Sequence, residues 1–292
     1  ISLVDLLEKL ADLKPEESQL RTQLAEQFAQ TGRTRDAVAQ FERLATEALD
    51  RDNAAESVQM YDRALAIDPT RSDLLAQIAD ILDLLDRPDE AAKRLDQLAE
   101  LNRRESDGAK NIPVLERLLV HNPTRDDLHA ELAALLELEG DIDRAIRQRH
   151  ELAKIYKQAG DQDEKVIEQC LKIRELSPEY IPAREQLIES WLNLEQIDNA
   201  KIELQCLGEL ALENHEPDRA EVYFNRCRQI DPEDIGNTER LAKLLEVQGK
   251  IDESIKARRQ VLDLYIHAGE NAQAIRVLTD LHRFLPDDLQ LH

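Results

Sequence analysis

A chain of 292 residues with 42% hydrophobic but only 3% aromatic side chains, and only 8 glycines, has the palette of packed helices rather than of sheets. Acidic side chains outnumber basic ones by 61 to 38, a formal charge of -23 that repels a nucleic-acid backbone and favours basic or apolar partners. No apolar run approaches the roughly 20 residues needed to span a bilayer, so direct membrane insertion through a helix is excluded.

The chain opens inside a helix, since Val4 to Pro15 repeats the pattern of Val58 to Pro69. Apolar-periodic segments then run to breaks at Gly32, at Asp52-Asn53 and at Pro69. The same three breaks return near Asp86-Arg87-Pro88, near Ser106-Asp107-Gly108 and at Pro123. They return again at Gly140, Gly160 and Pro178, near Gln196, Asn214-His215 and Pro232, and at Gly249, Gly269 and Pro286. Successive prolines in the series Pro15, Pro69, Pro123, Pro178, Pro232 and Pro286 stand 54, 54, 55, 54 and 54 residues apart. Proline stops a helix because it lacks the N–H and clashes with the preceding turn, while Gly and Asn tolerate the left-handed residue that ends one. Each unit is therefore predicted to hold three helices of about 14, 18 and 14 residues. The units are approximately 16–69, 70–123, 124–178, 179–232 and 233–286, with partial units at both ends.

These residues resemble the tetratricopeptide repeat. Counting back from Pro286 puts Val261, Leu262, Tyr265, Gly269, Ala274, Leu278 and Leu281 at that motif's core and turn positions. Counting from Pro232 puts Leu207, Gly208, Ala211, His215, Ala220, Phe224 and Cys227 there. The turns Gly140-Asp-Ile-Asp-Arg-Ala-Ile146 and Gly249-Lys-Ile-Asp-Glu-Ser-Ile255 match it as well. The resemblance implies an all-α, right-handed superhelical solenoid of about 16 helices over the whole of 1–292. The departure is the period, three helices instead of two. The middle helix serves two registers at once: Ala37, Phe41 and Leu44 end one repeat, and Phe41, Leu44, Ala45 and Ala48 begin the next. Small residues at Ala25, Ala79, Ala133, Gly208 and Ala242 are expected to let helices approach closely.

The polar run Arg103–Asn111 breaks the apolar stripe and reads either as a frayed turn or as a hinge or contact loop, with Pro113 in the first turn of a late-starting helix. Cys170, Cys206 and Cys227 form no C-x-x-C pair and read as buried structural thiols of a reducing, cytoplasmic compartment. The chain lacks an initiator methionine and both ends fall in register without a polar cap, so a fragment of a longer array is expected.

No phosphate-cradling loop, metal-ligand spacing or nucleophile motif occurs, so neither enzyme activity nor a cofactor is expected. In tetratricopeptide arrays the first helices line a concave groove. Carried over, the resemblance puts Asp73, Asp80 and Asp83, then Glu137, then Glu185 and Glu189 on that face, making it acidic. The Lys, Asn and Arg set with which chaperone-binding members grip a C-terminal carboxylate is missing from these helices. Arg147, His150, Lys154 and Lys157 fall on one face of a shared helix, as a basic strip for an acidic peptide or as a solvated face paired with Glu185 and Glu189. The resulting expectation is a scaffold or adaptor holding a basic or amphipathic protein segment. The alternatives are the substrate-recruiting arm of a larger enzyme or signalling protein, and a self-assembling filament module joined through open ends. Three-helix-period arrays of this kind also resemble bacterial proteins that organise envelope or motility complexes.

Overall fold

The computed structural model describes residues 3–14 and 17–284. Among them are sixteen α-helices and no strand, grouped in two compact units, Ile1–Asp141 and Ile142–His292. The first unit holds α1 (Leu3–Leu13), α2 (Ser18–Gln30), α3 (Thr34–Asp50), α4 (Ala54–Ile67), α5 (Ser72–Leu84), α6 (Pro88–Arg104), α7 (Gly108–His121) and α8 (Asp126–Leu138). The second holds α9 (Ile142–Ala159), α10 (Asp163–Leu176), α11 (Ile181–Asn193), α12 (Ile197–Glu213), α13 (Pro217–Ile230), α14 (Ile235–Val247), α15 (Ile251–His267) and α16 (Asn271–Phe284). Within each unit consecutive helices pack on one another, which is the all-α helical-repeat fold that the tetratricopeptide resemblance implies. Pro15 and Pro286 lie outside the described residues.

The breaks have two chemistries. Between first and shared helices, Gly32, Asp86, Gly140, Glu195 and Gly249 take positive φ. Between shared and third helices, Asp52, Ser106, Asp161, His215 and Gly269 do the same. At all of these but the Asp161 break the next N–H closes back by five residues, as Arg33 to the Phe28 carbonyl (2.9 Å) and Arg87 to that of Leu82 (2.9 Å), satisfying carbonyls a helix end would leave open. Third helices end differently. Asp68, Asn122, Ser177 and Asp231, each before a proline, are near-extended with φ from -132 to -146. The proline ring disfavours helical backbone in the residue before it.

Both registers of the shared helix are buried: Ala37, Val38, Phe41, Leu44, Ala45 and Ala48 cover α3 on a stripe wide enough for neighbours on two sides. In the first unit Phe41, Leu44 and Ala45 pack with Tyr61, Leu74 and Ile78. In the second, Leu204, Leu207 and Ala211 pack with Phe224, Cys227 and Leu241. Ala25, Ala79, Ala133 and Ala242 are buried as expected. Gly208 is the tightest approach, since a Cβ there would stand 2.5 Å from the Phe224 ring.

Two expectations are corrected. Helix α7 begins at Gly108, so Pro113 lies inside it and not in its first turn. The early start is possible because Asp107 caps the Lys110 N–H (3.1 Å) and because Gly108 has no Cβ to strike Leu135, 2.7 Å away. The polar run is a joint between helices: Arg103 forks onto Glu131 (2.8 and 2.6 Å), Asn111 donates to Glu131 (3.0 Å), and Asn102 donates to Asn111 (3.4 Å). Cys170 and Cys227 are buried, and burial pushes their thiols up to about 12 and about 11, but Cys206 is exposed. It sits on the outward side of α12, where helical periodicity alone does not say which flank lacks a neighbour.

Candidate functional site

The outward faces of the first helices carry the predicted carboxylates, and arginines from the third helices meet them. In the first unit Arg63 of α4 reaches Glu26 of α2 (3.2 Å). Arg117 of α7 spans Asp80 (2.8 Å) and Asp83 (2.9 Å) of α5. In the second, Arg226 of α13 reaches Glu185 of α11 (2.7 Å) and Arg276 of α16 reaches Glu239 of α14 (3.1 Å). His121 adds a contact to Asp83 (3.2 Å). Asp73 is held by Arg71 from its own helix entry (2.5 Å), and that hydrogen bond keeps its carboxyl below the usual range. Glu137 is half-buried on α8. In each unit these faces are acidic as read from the sequence, but their charges are organised in arginine-braced sets.

The basic strip on α9 is taken apart by its surroundings. Lys154 pairs with Glu151 of the same helix (2.7 Å), and Lys157 pairs with Glu189 of α11, as a solvated face would. Glu185 is held by α13 instead of the strip. His150 turns into a seam: its Nδ1 lies 2.7 Å from the Tyr180 hydroxyl, and the two rings meet edge to face at 5.5 Å. Half-burial, and secondarily Lys154, hold its pKa below the ordinary histidine value. Arg147 is exposed and forms no ion pair among the described residues.

That seam is a recurring joint which the residue-by-residue reading missed. At the same register Arg71 enters α5 and reaches Glu42 of α3, and Arg125 enters α8 and reaches Asp96 of α6 (2.8 Å). In the second unit the equivalent pairs are His150 with Tyr180, and Gln205 with Asp234 (3.0 Å). The signal was present in the sequence: Glu42 and Asp96 stand 54 residues apart, as do Arg71 and Arg125, and as do Arg63 and Arg117. Charges that repeat on the structural period mark repeated contacts.

Among the described residues no group of three or more His, Cys, Asp or Glu is placed to hold a metal ion, and no helix is long and apolar enough to cross a membrane. No protein-family profile matches the chain, and no curated protein matches it. Among solved structures, MamA protein is 14% identical over 82% of this chain and 96% of its own, with a TM-score of 0.19. The tetratricopeptide domain of P58(IPK) is 14% identical over 97% and 83%, with a TM-score of 0.31. Yeast Tom70 is 18% identical over 99% of this chain and 60% of its own, with a TM-score of 0.23.

Proposed function

We propose that this chain is a protein–protein interaction scaffold that holds a basic or amphipathic partner segment against its first-helix faces and carries out no chemistry of its own. The observation that carries the reading is the arginine-braced carboxylate face. Asp80 and Asp83 keep their oxygens at the surface while Arg117 fixes their positions, and Glu26, Glu185 and Glu239 are held in the same way. A surface whose side chains are already ordered loses little entropy when a partner binds. The excess of acidic over basic side chains supplies long-range attraction for a basic segment.

The test is affinity capture with the 292-residue chain as bait, followed by titration of the captured partner. Against wild type, a variant carrying Asp73→Asn, Asp80→Asn and Asp83→Asn should bind at least about tenfold more weakly, because the field that steers and holds a basic partner is reduced. Charge reversal at Arg147 and Lys154 should leave binding unchanged. Loss on that reversal, with none on neutralising the acids, would transfer the function to the strip on α9.

A further inference from the structure

The carboxylate face has an apolar break near the end of α5. Leu84, the last residue of that helix, is 86% exposed, and Val120 near the end of α7 is 80% exposed. Between the two helix ends lies a cleft of about 320 Å³ lined by Asp83, Asp86, Pro88, Arg117, Val120 and His121. That size stands at the small end of ligand clefts, enough for one or two side chains rather than a metabolite. Exposed aliphatic residues scattered singly are ordinary, but Val120 lines this cleft together with Pro88, and Leu84 follows the lining Asp83 in the chain.

The charge around this cluster says what fits it. Both arginines present are already occupied: Arg117 by Asp80 and Asp83, and Arg87 by Glu90 (2.5 Å). The carboxylates of Asp86 and Asp89 are exposed and form no ion pair among the described residues. Of the cleft lining, Asp83 is held by Arg117 and His121 while Asp86 is unpaired, and Asp89 and Glu90 directly follow the lining Pro88 in the chain, so carboxylates outnumber cations beside the apolar Val120 and Pro88. An anionic or purely polar segment would desolvate Val120 and Pro88 for nothing and meet unpaired carboxylates. A segment that seats an aliphatic side chain and flanks it with basic ones answers both.

We propose that the cleft at the ends of α5 and α7 is the anchor site for a partner helix that presents leucine-like residues flanked by arginine or lysine on one face. This rests on the scaffold reading above and sharpens it to one place. Helix-in-groove recognition uses anchors at i, i+4 and i+7, so a short amphipathic helix supplies the needed chemistry.

The probe is a synthetic helical peptide with Leu at those spacings and Arg beside them, titrated by fluorescence anisotropy onto the 292-residue chain. A scrambled peptide of equal composition and a copy with Glu for Arg serve as comparisons. We expect the ordered peptide to bind at least about tenfold more tightly than either, since both area and charge are then matched. Val120→Asp, and separately Asp86→Asn with Asp89→Asn, should each weaken it by about tenfold. All three positions are exposed, so circular dichroism and the melting temperature should not move. Val247→Asp in the second unit changes an equally exposed residue, and should leave affinity unchanged. If the ordered peptide binds but ignores Val120→Asp and the neutralised aspartates, or responds equally to Val247→Asp, this anchor site is wrong and the scaffold reading stands. If partners captured by the chain also fail to bind wild type in titration, both readings fall.

Discussion

The two compact units solve the same packing positions with different chemistry. At one register of the shared helix the first unit places Phe41 and Leu95, both buried. The second unit keeps a buried Leu204 there but also places Arg149, buried with Nη1 donating to Gln169 (2.9 Å), and Arg258. At the joint between a shared helix and the next first helix, the first unit uses the surface ion pairs Arg71–Glu42 and Arg125–Asp96. The second uses His150–Tyr180 and Gln205–Asp234. Arg184 shows the contrast most sharply. It is buried, and so is its partner Glu203, which also receives Arg174 (2.8 Å). Arg21 at the same register in the first unit is buried as well, yet its partner Glu47 stays a third exposed. The first unit leaves its charges in reach of water, and the second encloses some of them. A repeat geometry thus tolerates charge in its interior provided each charged group meets a partner.

The largest effect should come from breaking the enclosed set. Glu203→Ala leaves Arg184 buried and unpaired and should cost about 3–5 kcal/mol in chemical denaturation. Asp96→Ala, which breaks the exposed pair of the first unit, should cost no more than about 1 kcal/mol. Equal losses would erase the distinction between the units. Next comes Gly208→Ala, which drives a Cβ into the Phe224 ring and should destabilise by about 1–3 kcal/mol. The first unit carries Ala45 and Ala99 at this register and fills the space without a clash.

The joint at His150 offers a smaller, pH-dependent contrast. Burial lowers its pKa in the folded chain below the unfolded value, so the folded state prefers the neutral ring. Stability tied to it is present above about pH 6.5 and is lost as pH falls through the lowered folded value. The groups facing the ring are Tyr180, the residue just before α11, with Glu151 and Lys154 from its own helix. His150→Gln should flatten the fall in melting temperature between about pH 7 and pH 5. Asp73 and Asp127 in the first unit have depressed pKa values through their arginine hydrogen bonds. Their contribution is present above about pH 4 and disappears only in stronger acid. The smallest effect is at the second unit's Glu195, held at φ 56 where the equivalent Gly32, Gly140 and Gly249 sit without strain. Glu195→Gly should raise stability by about 0.5–1 kcal/mol, read as a higher denaturant midpoint.

Much of the fold was legible because helix ends are written locally. A proline forces the residue before it out of helix, and a left-handed residue closes a helix end. Both recur on the 54-residue period, so helix number, order and boundaries follow from the sequence. Burial of the shared helix on two sides followed as well, because one stripe carried two registers of apolar residues. The site was legible only in part. Sequence placed Asp80, Asp83, Glu185 and Glu189 on first helices, and period alone could have paired Glu26 and Asp80 with Arg63 and Arg117.

What the sequence by itself determined is therefore the helical trio, its repetition and the sign of the charge. Each depends on residues a few positions apart or on composition. Only tertiary structure decided that Arg117 braces Asp80 and Asp83, that His150 leaves the basic strip for Tyr180, and that Glu203 is enclosed by two arginines. Those contacts join residues 29 to 37 positions apart across helix surfaces, or 19 in the case of Arg184 and Glu203. Long charged side chains can reach several neighbours, and packing selects among them by the water each one must give up.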